Sequence, residues 1–177
     1  MMRPHDILVI SKIIVAGETD WKQTDLAEAL LMSQSEISAS LKRSHRAHLL
    51  NKQEKILYPQ NVLDFMVYGF SYVFPVELGP VGKGVPTALS HPLFLESFPV
   101  PTIPFVWVSK AGDTLGQSIA PLHPRQAEAA LKDERLYQLL ACLDVIRMGN
   151  AREKQVAILT IESLMQTYEQ QVSLVYQ

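Results

Sequence analysis

Apolar positions in the first sixty residues fall into short runs at helical spacing, separated by polar punctuation. From Ile7 to Val15, Leu8, Ser11 and Val15 form one row and Ile7, Ile10 and Ile14 another, which predicts a first helix. Thr24 to Leu31 reads as a second, short helix with Leu26, Ala27 and Leu30 facing inward, small Ala27 letting a neighbouring helix cross closely. Met32 and Ser33 make a tight turn. Ser33-Gln34-Ser35-Glu36 is a capping box, so a third helix starts there, anchored by Ile37 and Leu41. Leu49-Leu50-Asn51 and Ile56-Leu57-Tyr58 can pair as two short strands around a Lys52-Gln53-Glu54-Lys55 tip. Trp21 is expected as a short strand before the second helix, and a further helix is expected from about Asn61.

The pattern changes after Phe74. Residues 75–104 hold seven of the eleven prolines and three glycines. Proline lacks the amide donor and restricts the residue before it, so no long helix fits, and the stretch reads as an ordered or semi-ordered connector. Ile103 to Val108 and Thr114 to Ile119 flank the turn-like Lys110-Ala111-Gly112-Asp113 and predict a hairpin. Leu136, Leu139, Leu140, Leu143 and Ile146 then mark a helix that stops at Gly149. Asn150, with Glu153 three residues on, caps the next, whose Val156, Leu159 and Met165 spread over more than one face. Such a helix should be buried, in its own domain or against a second subunit. The expected fold class is therefore α+β: residues 1–74 as one domain, 75–104 as connector, and 105–177 as a module of a small β-hairpin and two or three helices.

Charge sharpens this outline. The 177 residues carry a formal net charge of −2 and are 47% hydrophobic, which supports a packed core and excludes disorder as the default. Residues 1–58 have a net charge of +1 and residues 59–177 of −3. The basic excess concentrates between Glu36 and Tyr58, where Lys42, Arg43, Arg46, Lys52 and Lys55 stand against Glu36 and Glu54. A local positive patch on an acidic chain suits contact with a phosphate backbone. The single cysteine, Cys142, lies in an apolar helical pattern and reads as core. Lys12 interrupts the apolar stretch near the N-terminus, and the run from Val62 to Phe74 is short and contains Asp64, so neither a signal peptide nor a membrane span is expected. A cytoplasmic location in a prokaryote-like cell, with no membrane partner, follows as the expectation.

The third helix carries the candidate chemistry. Opposite Ile37 and Leu41 lie Gln34, Ser35, Ser38, Lys42 and Arg46. An amide at the helix start can read a base edge, with adenine its preferred partner. Short serines let a helix lie close to bases. Lys42, Arg43 and Arg46 come one to three turns later, where groove walls present phosphates, and Lys52 and Lys55 at the strand tip could touch the neighbouring backbone. Thr24 and Ser33, near the two helix starts, complete the expected DNA-contacting set.

Other features are weaker. Gly79-Pro80-Val81-Gly82-Lys83-Gly84 invites a phosphate-loop reading but fails it, because Glu77 stands where the first glycine belongs and Gly84 where Ser or Thr should follow the lysine. His91 and His123 each precede a proline and read as loop residues. Trp107, Tyr68, Phe70, Tyr72 and Phe74 read as core. Arg147, Arg152 and Lys154 flank a helix–helix corner, and the last two oppose the dipole of a helix N-terminus, which suggests an effector or partner site. No nucleophile elbow, paired-carboxylate motif, metal spacing or dinucleotide fingerprint is present, so no catalytic role, cofactor or metal is expected.

Gln23-Thr24-Asp25-Leu26-Ala27-Glu28-Ala29-Leu30, then Ser33-Gln34-Ser35-Glu36-Ile37-Ser38, then Leu41-Lys42-Arg43 resemble MarR-type and related winged-helix regulators of bacteria over roughly residues 5–60. One departure is Ala47-His48, where many such proteins have Ala-Gly. Tyr68-Gly69-Phe70-Ser71-Tyr72-Val73-Phe74-Pro75, Gly84-Val85-Pro86-Thr87, Pro121-Leu122-His123-Pro124 and Asp144 to Glu153 are similar to an uncharacterised family of bacterial winged-helix proteins. The resemblance implies an N-terminal winged helix-turn-helix, double-stranded DNA as partner and a homodimer on its operator, with the C-terminal module serving dimerisation, small-molecule sensing or docking. A protein-interaction or antitoxin-like subunit, paired with a neighbouring gene product, is the alternative.

Overall fold

In the computed structural model, which describes residues 1–53 and 55–175, the N-terminal helices form where caps and apolar rows place them. Helix α1 (Pro4–Ala16) starts on proline, whose missing amide is no loss in a first turn, and ends at Gly17 in the left-handed conformation. Both of its apolar rows are buried. Helix α2 (Gln23–Leu30) turns through Leu31, at a φ of 55°, into α3 (Gln34–Arg46). Strands β1 (Leu50–Asn51) and β2 (Ile56–Leu57) pair antiparallel, Leu50 opposite Leu57. Glu54, at the expected tip, lies outside the described residues. Trp21 forms no strand; instead its indole donates to the Lys55 carbonyl oxygen at 3.2 Å and ties the hairpin to the loop before α2.

Helix α4 (Pro59–Asp64) runs through a π-helical turn (Phe65–Gly69) into α5 (Phe70–Val73). Val62, Met66 and Phe70, four residues apart, are buried. Tyr68 and Tyr72 are 73% and 85% exposed, so the aromatic run expected as core is split between core and surface.

The stretch expected as a connector departs most from expectation. It contains β3 (Leu78–Pro86), a 3₁₀ turn (Ala88–Ser90) and α6 (Pro92–Leu95). Strand β3 pairs antiparallel with both β4 (Phe105–Val108) and β5 (Thr114–Ile119), and β4 and β5 close a three-stranded barrel by pairing parallel to each other. The hairpin expected around Lys110 to Asp113 is therefore absent: the chain crosses from one side of β3 to the other. Proline is tolerated because Pro80 sits in a register shift between Leu78 and Val81 and Pro86 ends the strand, places where a missing ladder donor costs little. The glycines let strands approach closely. A Cβ on Gly84 would land on the Trp107 carbonyl, and one on Gly116 on the Pro104 carbonyl.

Helix α7 (Gln126–Ala130) precedes α8 (Glu134–Met148), in which ten consecutive or near-consecutive side chains from Leu136 to Ile146 are buried. Helix α8 is thus packed on all sides, against α1, α5, α9 and the 3₁₀ turn. Helix α9 (Ala151–Val175) begins with the anticipated reciprocal cap: the Asn150 amide donates to Glu153 and the Glu153 amide to Asn150 Oδ1. It buries Ala157, Ile161, Leu164, Met165 and Tyr168, and leaves Leu159 56% exposed. Gly149 ends α8 in extended rather than left-handed geometry.

One cluster of buried side chains runs from Ile7 to Tyr168 without a break at 74 or 104. Lys12 Nζ meets Asp133 at 2.6 Å, Arg135 donates to the Val15 carbonyl, and the Leu57 amide donates to the Tyr168 hydroxyl at 2.8 Å. No helix among the described residues is long and apolar enough to cross a membrane.

Candidate nucleic-acid interface

Helix α3 is positioned by its own cap and by two neighbouring helices. Ser33 Oγ accepts from the Glu36 amide at 3.2 Å, and Glu36 accepts from the Ser33 amide and hydroxyl at 2.9 and 2.7 Å. These bonds from Ser33, with His123 3.6 Å away, hold the Glu36 carboxyl below its usual pKa. Ile37, Ser40, Leu41 and Ser44 are buried, one face of the helix lying on α1 and α2. Gln34, Ser35, Lys42, His45 and Arg46 are exposed, Ser38 is half-buried, and Thr24 is exposed near the start of α2. The structure thus places Gln34, Ser35, Ser38, Lys42 and Arg46 on the accessible part of one helix, with the basic side chains toward its C-terminal end.

Arg43 departs from the expected set. It was grouped with Lys42 and Arg46 as a groove-wall cation, but it turns inward. Its guanidinium grips Asp6 through Nη2 at 2.6 Å and Nε at 2.8 Å, and Nη2 also donates to His5 at 3.0 Å. Asp6 is fully buried. A carboxylate taken from water needs a partner, and Arg43 is the cation within reach. Hydrogen bonding to Asp6 raises the Arg43 pKa still further, and burial lowers that of His5. Arg43 therefore locks α3 onto α1 and leaves the outward charge to its neighbours.

The hairpin lysines differ from one another. Lys55 Nζ donates to the Trp21 carbonyl at 3.1 Å and stands 5.6 Å from the centre of its ring. Lys52 is half-buried, its amide directed at His45. Lys52, Lys55, Trp21 and Lys22 line one cavity together with Leu41 of α3.

A contact that sequence spacing could not show joins α1 to the loop between β5 and α7 here. The His5 and His123 rings meet edge to face at 6.2 Å, beside Glu36. The C-terminal candidates are dispersed. Arg152 stands 5.8 Å from the Phe98 ring, while Arg147 is drawn inward to Asp144 in a buried network with Thr87 and Trp107. His91, expected in a loop, is buried and caps α6, and burial pulls its pKa down to about 4. Cys142 is buried and its thiol is pushed up to about 12, which keeps it protonated. No metal-binding group of His, Cys, Asp or Glu exists among the described residues. The chain matches no protein family, no curated protein and no solved structure.

Proposed function

We propose that the chain is a sequence-specific DNA-binding transcriptional regulator in which α1 to α3 and the β1–β2 hairpin act as a winged helix-turn-helix. The observation that carries the reading is the division of α3: apolar and small residues seat it on α1 and α2, while Gln34, Ser35, Lys42 and Arg46 remain exposed. Gln34, at the helix start, reads a base edge in the major groove. Lys42 and Arg46 reach phosphates along the groove walls, helped at the other end of the helix by free amides that favour anions. The MarR-type resemblance of residues 5–60 supports the same reading. Two copies would set their α3 helices in successive major grooves, about one helical turn or ~34 Å apart.

Binding to the gene's own upstream DNA at two salt concentrations tests this, comparing wild type with Gln34→Ala and Arg46→Ala. The expected result is tight, salt-sensitive and sequence-selective binding. Gln34→Ala loses discrimination at one base pair by about 1–3 kcal/mol. Arg46→Ala loses affinity on every sequence and lowers the salt slope by about one. Binding that never exceeds the non-specific level defeats the proposal.

The exposed Tyr68 and Tyr72 favour a second reading, a protein-docking subunit of antitoxin type. It predicts a stable complex with a neighbouring gene product and no operator selectivity.

A further inference from the structure

We propose that the cavity shared by Lys22, Lys52 and Lys55 binds a phosphate group, carried either by the DNA backbone or by a small phosphorylated molecule. The cavity has a volume of about 280 Å³ and lies between the start of α2, the middle of α3 and the β1–β2 hairpin, with Trp21, Gln23 and Leu41 completing its lining. That volume is near the lower end of ligand pockets, ~300–1,000 Å³, so the occupant is small or is a small part of something larger.

The cations here are available. Among the described residues no carboxylate lines the cavity. Lys22 and Lys52 make hydrogen bonds only through backbone atoms, and neither ammonium has an ion-pair partner among the described residues. Asp25 of α2 accepts from the Lys22 amide and the Thr24 hydroxyl and stands outside the lining. Lys55 Nζ gives one of its three donors to the Trp21 carbonyl at 3.1 Å, and two remain. Three like charges around one volume repel one another, and an anion placed among them replaces that repulsion with attraction.

The scaffold holds this arrangement. Trp21 and Lys55 are tied twice: the indole donates to the Lys55 carbonyl at 3.2 Å, and the Lys55 ammonium returns to the Trp21 carbonyl, 5.6 Å from the ring centre. Lys55 also holds a left-handed φ of 57°, a conformation that favours glycine or asparagine in a hairpin turn. A lysine is kept there against backbone strain, and its side chain is the one fixed at the cavity wall. Trp21 and Leu41 are 5% and 1% exposed, so the floor is apolar and packed. Ammonium groups are compact point charges with rotatable donors, which suit a tetrahedral phosphate; a planar carboxylate is matched by the arginine fork, and no arginine lines the cavity. Binding of a free phosphate does not depend on the operator reading, whereas occupation by the DNA backbone rests on it. One cavity of this size holds one of the two, so a small phosphorylated molecule and DNA compete.

The test uses the full chain labelled with ¹⁵N and its two indole N–H signals. Trp21 Nε1 reports on the cavity; Trp107 Nε1, buried on Asp144, reports on the fold. Pyrophosphate and a short DNA duplex of arbitrary sequence are titrated separately at constant ionic strength. Pyrophosphate should shift Trp21 saturably and leave Trp107 still. Lys22→Gln and Lys52→Gln should each weaken it about threefold and together about tenfold. Lys110→Gln removes the same charge from the exposed surface of the barrel and should leave it unchanged. A duplex that shifts Trp21, loses about threefold in Lys22→Gln and is displaced by pyrophosphate identifies the DNA backbone as a source of the phosphate. Pyrophosphate binding with no response to duplex supports a small phosphorylated molecule and counts against the operator reading alone. No saturable shift of Trp21 by either probe, a shift reproduced by sodium chloride, or equal weakening in Lys110→Gln overturns the proposal.

Discussion

Asp6 and Arg43 form a pair whose energetics are set by burial. Asp6 has no exposed surface, while the Arg43 side chain is 19% exposed. Removing the arginine leaves a carboxylate without its cation in the core, so Arg43→Ala should lower unfolding free energy by about 3–5 kcal/mol in urea titration. His48 is a smaller liability. It holds a left-handed φ of 56° at the position where the resembling regulators carry glycine. His48→Gly should stabilise by about 0.5–1 kcal/mol, since the strain of a Cβ there exceeds the extra chain entropy of glycine. His91 supplies a pH dependence. Its folded-state pKa is about 4 against 6.5 when unfolded, because burial disfavours the charged ring. Above pH 6.5 both states hold it neutral. As pH falls from 6.5 to 4 only the unfolded chain takes up the proton, so about 3 kcal/mol of stability is lost across that window and the loss then levels off. His91→Asn keeps a cap acceptor for the Leu93 amide and should flatten that slope, as measured by denaturation at pH 7 and pH 4.

At the scale of elements, the caps were legible because they are local. Ser33–Glu36 and Asn150–Glu153 each close within four residues, and both appear with the reciprocal bonds that the residue types imply. Ser33→Ala should cost about 1 kcal/mol in stability and fray the first turn of α3, seen as faster amide exchange at Glu36. The strands were less legible. β3 reads as a connector since its proline and glycine content hides a weak alternation, and its role depends on partners that lie twenty to forty residues away. Seeing Lys110 to Asp113 as a hairpin turn failed for the same reason: β4 and β5 lie on opposite sides of β3 before they close the barrel, an order no local turn signal encodes.

For the whole molecule, α8 and α9 bind the two halves of the chain. Tyr168, far along α9, receives the Leu57 amide of the hairpin, and Lys12 and Arg135 connect α1 with α8. Tyr168→Phe strands a buried amide and should lower the unfolding free energy by about 1–3 kcal/mol, with accelerated exchange at Leu57.

The sequence by itself determined the first three helices and the last two, the caps at Ser33 and Asn150, the buried rows of α1 and the outward polar face of α3, because each rests on spacings of three or four residues and on side-chain chemistry acting within one turn; the short helices α6 and α7 carry too few turns to show such a period. Only the tertiary structure decided that Arg43 faces Asp6, that β3 is the central strand of a closed barrel, that Tyr68 and Tyr72 stay outside, and that Arg147 turns inward to Asp144. Those outcomes depend on which distant groups share a buried volume, where low polarity makes an unpaired charge or amide costly and so fixes its partner.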